Sequence, residues 1–176
     1  MDDQRRLIIG LILLATAVAV AVFATAIFTA SSASAGNLIA SGLMSVDQSK
    51  HGAALLSASD LLPGQSATGM VTLSNTGAKS GSFTLSTIDL TDTPGVPGGP
   101  PLSARALLLI ENVTSRSSPV RMYSGLLDGV GTLQLGRWAA GATHAFRFVL
   151  SLPTDVKESL YGQARTRLVF VWGVSS

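Results

Sequence analysis

The strictest constraint on the fold lies in residues 66–74, SATGMVTLS. Ala67, Gly69, Val71 and Leu73 fall on one side and Ser66, Thr68, Thr72 and Ser74 on the other. Such a period of two marks a strand with one wet face, because successive side chains point to opposite faces of a sheet. Pro63-Gly64 in front and Asn75-Thr76-Gly77 behind are turn-forming residues, which start the strand and then reverse the chain. The pattern recurs at 145–152, where Phe146, Phe148, Leu150 and Leu152 oppose Arg147 and Ser151. At the carboxyl end Thr166, Leu168, Phe170, Trp172 and Val174 alternate with Arg165, Arg167, Val169 and Val171. There the second face turns apolar as well, which predicts a central position in a sheet.

Two segments are less regular. In 82–90 the apolar phase shifts between Leu85 and Ile88, as a β-bulge would make it. RALLLIENVT at 105–114 is apolar on both faces, so periodicity alone allows a strand or a helical turn; Asn112-Val113-Thr114 and the strand-rich surroundings favour the strand. TDTPGVPGGPP at 91–101 holds four of the seven prolines and is expected to be a long surface loop, since proline donates no ladder hydrogen bond. After residue 36 no amphipathic helix of ten residues or more is evident. Seven or eight strands separated by turn residues predict an all-β chain folded as a β-sandwich. With no cysteine, its core alone must hold it.

The amino terminus reads differently. Arg5 and Arg6 precede an uncharged, mostly apolar run from Leu7 to Phe28. At ~1.5 Å per residue such a run crosses a hydrocarbon core of about 30 Å. Arginine on the near side orients the terminus toward the cytoplasm. The expected organisation is therefore a signal peptide or membrane anchor at 1–28, a flexible spacer at 29–36 (TASSASAG) and a β-sandwich domain at 37–176. Small-x-small cleavage sites end at Ala26 and at Ala35; without cleavage the run is a single-pass anchor. The expected location is outside the cytoplasmic membrane, secreted or at the cell surface.

Little in the sequence points to catalysis. The formal charge is only +2, without a basic run or abundant aromatics, so nucleic acid is not an expected partner. His51 and His144 have no carboxylates at ligand spacing, and a zinc site needs clustered ligands. No Gly-x-Ser-x-Gly elbow is present. Asp89 with Asp92, and Asp155 with Glu158, read as solvated pairs, and the first offers too few oxygens for calcium. No metal or other cofactor is called for, and the chain is expected to bind or build rather than to be an enzyme.

Several blocks in order carry a resemblance. AIFTASSASAGNLIASGLMSV, LLPGQSATGMVTLSNTG, Tyr123-Ser124-Gly125-Leu126-Leu127, Leu135-Gly136 with Ala140-Gly141, and Tyr161-Gly162-Gln163 leading into Leu168-Val169-Phe170-Val171-Trp172 resemble the exported bacterial proteins grouped with TasA and camelysin. Ala30 stands where that family has an aspartate after Phe-Thr, and the proline loop is not a family feature. The resemblance implies a jelly-roll-like β-sandwich that builds surface or extracellular-matrix fibres, with itself or a related matrix subunit, after contact with signal peptidase and membrane during export. It also implies that residues 36–46 act as a donated strand. Leu38, Ala40, Met44 and Val46 then share a face and Gly42 permits close approach. The same segment pairing within its own sandwich is the alternative. Two other readings belong to different classes: a secreted camelysin-like metalloprotease and a membrane-anchored immunoglobulin-like binding module.

Overall fold

The computed structural model describes residues 26–33, 46–49 and 54–175. Among them ten strands form two five-stranded sheets. One sheet contains β1 (Ala26–Ala33), β3 (Ala54–Leu61), β5 (Gly81–Thr93), β8 (Leu133–Trp138) and β10 (Arg165–Ser175), in the spatial order β3-β1-β10-β5-β8. The other contains β2 (Val46–Gln48), β4 (Ser66–Asn75), β6 (Leu107–Asn112), β7 (Val120–Leu126) and β9 (Thr143–Ser151), in the order β2-β4-β9-β6-β7. Every pairing is antiparallel except that of β1 with β10. A 3-10 turn at Leu127–Gly129 and a single helical turn, α1 (Glu158–Tyr161), complete the described elements. This is the all-β sandwich that the alternation predicts.

The apolar rows become the core. Val71 and Leu73 of β4, Phe146, Phe148 and Leu150 of β9, and Leu168, Phe170, Trp172 and Val174 of β10 are all buried. Aromatic rings bridge the layers where a disulfide would otherwise do so. Phe148 of β9 lies 5.0 Å from Phe170 of β10 between centroids and meets Trp172 edge-on at 6.3 Å, while Phe83 stacks on Trp138 at 4.1 Å within one sheet. Contacts of this kind add about 0.5–1.5 kcal/mol each beyond area burial. As its two-sided pattern predicts, β10 is the middle strand of its sheet. A bulge does occur in β5, but past Ile88 and not between Leu85 and Ile88: the register with β10 is regular from Ser82 to Ile88 and shifts between the Val169–Ile88 and Arg167–Thr91 pairs, where Asp89 takes φ 54°. Residues 107–112 form the strand favoured for RALLLIENVT.

Two glycines show what the turn residues do. Gly64, at φ 83°, follows Pro63 in a turn closed by the Gln65 N–H donating to Leu62 O, and its own N–H donates to Leu152 O at 2.7 Å. Proline then glycine at positive φ is the type II arrangement. Gly69 is a close approach: a Cβ there would overlap the Leu55 carbonyl oxygen, so β3 can cross β4 only because position 69 has no side chain.

Three expectations need correction. The spacer at 29–36 is not a spacer as far as Ala33, because residues 26–33 form a strand. Small Ala and Ser residues give no alternation to read, and here two neighbouring strand edges impose the extended conformation. Ten strands form among the described residues where seven or eight were expected, β1 and the three-residue β2 being among those added. Of the proline segment only residues 91–93 depart from the expected surface loop; 94–101 form that loop, with no residue buried. Residues 91–93 continue β5, and beyond 101 the connection dips inward with Leu102, Ser103 and Ala106 buried. The hydrophobic helix expected at 1–28 lies, up to residue 25, outside the described residues, as do 34–36.

Asp92 fastens that connection. Its Oδ1 accepts from Ser103 N at 3.0 Å and from Thr166 Oγ1 at 2.6 Å, and its Oδ2 accepts from Ser103 Oγ at 2.6 Å. Ser103 and Thr166 are 2% and 3% exposed, so these donors have no water to fall back on. Asp92→Ala is expected to destabilise the fold by about 2–4 kcal/mol, the cost of unsatisfied buried donors. Urea denaturation checks this; a midpoint equal to that of the parent would contradict it.

Candidate assembly site

β1 stands apart from the other strands. It is the most amino-terminal element described, yet it occupies an interior position, with β3 on one side and β10 on the other. Ile27 to Ala33 pair in parallel with Arg165 to Val171, seven positions in unbroken register. On its other side β1 pairs antiparallel with β3 at five positions, from Ala26 opposite Leu61 to Ser31 opposite Ala54, with two slips. β3 has no other partner in its sheet. A parallel pair cannot be joined by a tight hairpin, so β1 and β10, at opposite ends of the described chain, are held together by the ladder and not by a turn.

The cleavage candidates fall on this strand or past it. Ala26 is the first residue of β1, and cutting after it leaves Ile27 to Ala33 in place. Ala35 lies outside the described residues, but it follows β1 in sequence, so cutting there separates all of β1 from the domain. Of the donor-strand candidates, Val46 opens β2 and pairs with Asn75 of β4 in the same chain. Leu38, Ala40, Gly42 and Met44 lie outside the described residues.

The residues weighed for chemistry are dispersed. His144 is partly buried, stacked on Trp138 at 4.3 Å, and its Nδ1 lies 3.5 Å from Asn112 Nδ2 and 3.4 Å from Thr114 Oγ1. Desolvation holds its pKa below the ordinary histidine value. No carboxylate is among these neighbours. His51 lies outside the described residues. Asp89 sits exposed at the β5 bulge, while both oxygens of Asp92 are taken by Ser103 and Thr166. Asp155 pairs with Arg105 at 2.7 Å. Among the described residues no three of His, Asp and Glu stand together as a metal site, and no helix is long and apolar enough to cross a membrane. Sequence reasoning missed β1 as an element; the only signal for it was Ala26-Ile27-Phe28, which the apolar run obscured.

No protein-family model and no curated protein matches the chain by sequence. Solved structures align with it only weakly. A family 123 glycoside hydrolase from Clostridium perfringens aligns over 62% of this chain and 21% of its own, with 12% identity and a TM-score of 0.32. The N-terminal domain of PorA aligns over 72% of this chain and 97% of its own, with 6% identity and a TM-score of 0.32. AvmM, described as catalysing macrocyclization in alchivemycin A biosynthesis, aligns over 77% and 87%, with 8% identity and a TM-score of 0.29. The chain thus spans about a fifth of the hydrolase's length, 21%. Similarity at this level says nothing about activity.

Proposed function

We propose that this chain is an exported, non-catalytic structural protein of the TasA/camelysin type, a jelly-roll-like sandwich that polymerises at the cell surface or in the extracellular matrix by exchanging an amino-terminal strand. Residues 1–26 act as the hydrophobic export segment, and processing after Ala26 delivers Ile27 as the first residue. The observation that carries the reading is the place of β1, an interior strand bounded by β3 and β10 that takes in the last three residues of the apolar run. The ordered block resemblance described above supports it as well.

The exchanged strand in this reading is β1, which holds an interior place in its sheet; of the 36–46 segment only Val46 is among the described residues, where it pairs with Asn75. If β1 leaves, the gap between β3 and β10 offers two rows of backbone donors and acceptors in a register that residues 27–33 of another copy fill equally well. Residues 34–45, which join β1 to β2, can reach up to about 40 Å when extended, enough to span neighbouring copies. A contact in which each copy gives one strand and receives another does not close on itself, and so builds a filament.

The test is electron microscopy of purified residues 27–176 over a wide concentration range. Filaments that lengthen with concentration, and that are blocked by excess synthetic peptide Ala26–Ala33, are the expected result. Monodisperse particles at every concentration would refute the proposal. Mass spectrometry of the mature protein is expected to find Ile27 at its terminus; a terminus at Gly36 would refute the role of β1.

A further inference from the structure

A second surface, on the other sheet, has no part in strand exchange. The outer face of the β4–β9 pair forms the floor of a groove of about 480 Å³, with Met70 beside Arg147 and Thr72 beside Ala145. The connection from β6 to β7 forms its wall, through Val113, Arg116 and Pro119. The size is that of a small-ligand site.

Three observations define what such a groove can hold. The first is charge. Arg147 donates from Nε and Nη2 to Glu111 Oε2 at 3.0 and 2.6 Å, which fixes its guanidinium and leaves N–H groups to spare. Arg116 is exposed and has no ion-pair partner among the described residues. No carboxylate lines the groove. Glu111 offsets the charge of Arg147, so among the described residues Arg116 supplies the groove's one uncompensated charge, which favours an anionic occupant.

The second observation concerns the backbone. β4 and β9 are paired with each other, and β9 is paired with β6 on its far side. Even at Ala145, past the end of β6, the N–H donates to Thr114 Oγ1 at 3.0 Å and the carbonyl accepts from Val113 N at 2.8 Å. Between β4 and β9 the floor therefore offers no main-chain row to an added strand; only the outer edge of β4 over residues 66–71, to one side of the floor, has no strand partner among the described residues. Recognition on the floor itself falls to side chains.

The third is the nature of those side chains. The Thr72 hydroxyl and the two guanidiniums supply directional donors, while Met70, which is 51% exposed, with Val113 and Pro119 supplies apolar surface between them. Scattered donors around small apolar patches suit a ligand whose hydroxyls and C–H faces alternate. From these features we infer that the groove binds an acidic glycan, a chain of uronate sugars whose carboxylates meet Arg116 and Arg147.

The test is isothermal titration of residues 27–176 with oligogalacturonate, with neutral dextran oligomers and with poly-L-glutamate in parallel. Oligogalacturonate is expected to bind and dextran to give no heat. Arg116→Ala is expected to weaken binding about tenfold, the loss typical of one charge-assisted hydrogen bond. Arg116 makes no hydrogen bond or ion pair among the described residues that its removal would break, and an unchanged circular dichroism spectrum checks the fold. Lys157→Ala, which removes an exposed cation from the β9–β10 connection, is expected to leave the affinity as it was. Absence of binding, equal binding by poly-L-glutamate, or an equal loss in both variants would overturn the inference. Monomeric protein suffices, so the outcome is independent of whether filaments form.

Discussion

A chain beginning at Gly36 is expected to lose the cooperative fold that a chain beginning at Ile27 keeps. Without β1, β10 loses seven paired positions and β3 loses all five of its own. Stability from backbone pairing is modest per bond, about 1 kcal/mol net, so losing on the order of ten bonds costs about 10 kcal/mol. That is comparable with the whole stability of an ordinary domain, about 5–15 kcal/mol. Stranding β3 also removes the frame behind Leu55, Leu56 and Leu61, which are all buried. The measurement is urea unfolding followed by the fluorescence of Trp138 and Trp172, both inside the core. The shorter chain is expected to show red-shifted emission without a sharp transition, and added peptide Ala26–Ala33 to restore both. A shorter chain with the same urea midpoint as the longer one would mean that β1 is dispensable, and the assembly proposal would fall with it.

The second large effect is expected at Asn75, which is 1% exposed. Its Nδ2 donates to the carbonyl oxygens of Lys79 at 3.0 Å, Trp138 at 3.2 Å and Ala139 at 3.0 Å, and its Oδ1 accepts from Gly77 N at 3.1 Å. The main chain is engaged too: Asn75 N donates to Ala142 O and Gly141 N donates to Asn75 O. One amide thus ties the end of β4 to its own turn and to the connection between β8 and β9. Asn75→Asp keeps the shape and replaces the donor by an oxygen that faces three carbonyls. The expected cost is about 3–5 kcal/mol, in the range for breaking a buried polar network. Its pH dependence runs opposite to that of a paired carboxylate. Burial among carbonyls raises the folded-state pKa of the new carboxyl group above its unfolded value of about 3.9, so the folded state binds its proton more tightly. The destabilisation is then full above the folded pKa and shrinks as pH falls toward the unfolded value. The difference in urea midpoint between variant and parent, measured from neutral to mildly acidic pH, is expected to narrow as the pH drops. A constant difference, or no difference, would show that the amide donor does not hold the turn.

Asn75 marks the boundary between what was legible early and what was not. Its side chain closing its own turn on Gly77 is local chemistry, written in Asn-Thr-Gly. Its bonds to Trp138 and Ala139 join residues more than sixty positions apart and leave no trace in the sequence. The groove divides in the same way. Arg147 is readable as an outward residue of an alternating strand, but its meeting with Arg116 depends on how the β6–β7 connection folds back over β9.

Periodicity and turn residues by themselves determined the layered all-β architecture, the apolar rows of β4, β9 and β10 and the central place of β10, because each rests on neighbours a few positions away. Only the tertiary structure decided that 26–33 is a strand, that Asp92 fastens Ser103 and Thr166, and which strands lie side by side. Those outcomes depend on which backbone edges and buried donors are left to be satisfied once the sheets have packed, and a residue's own sequence neighbours carry no record of that.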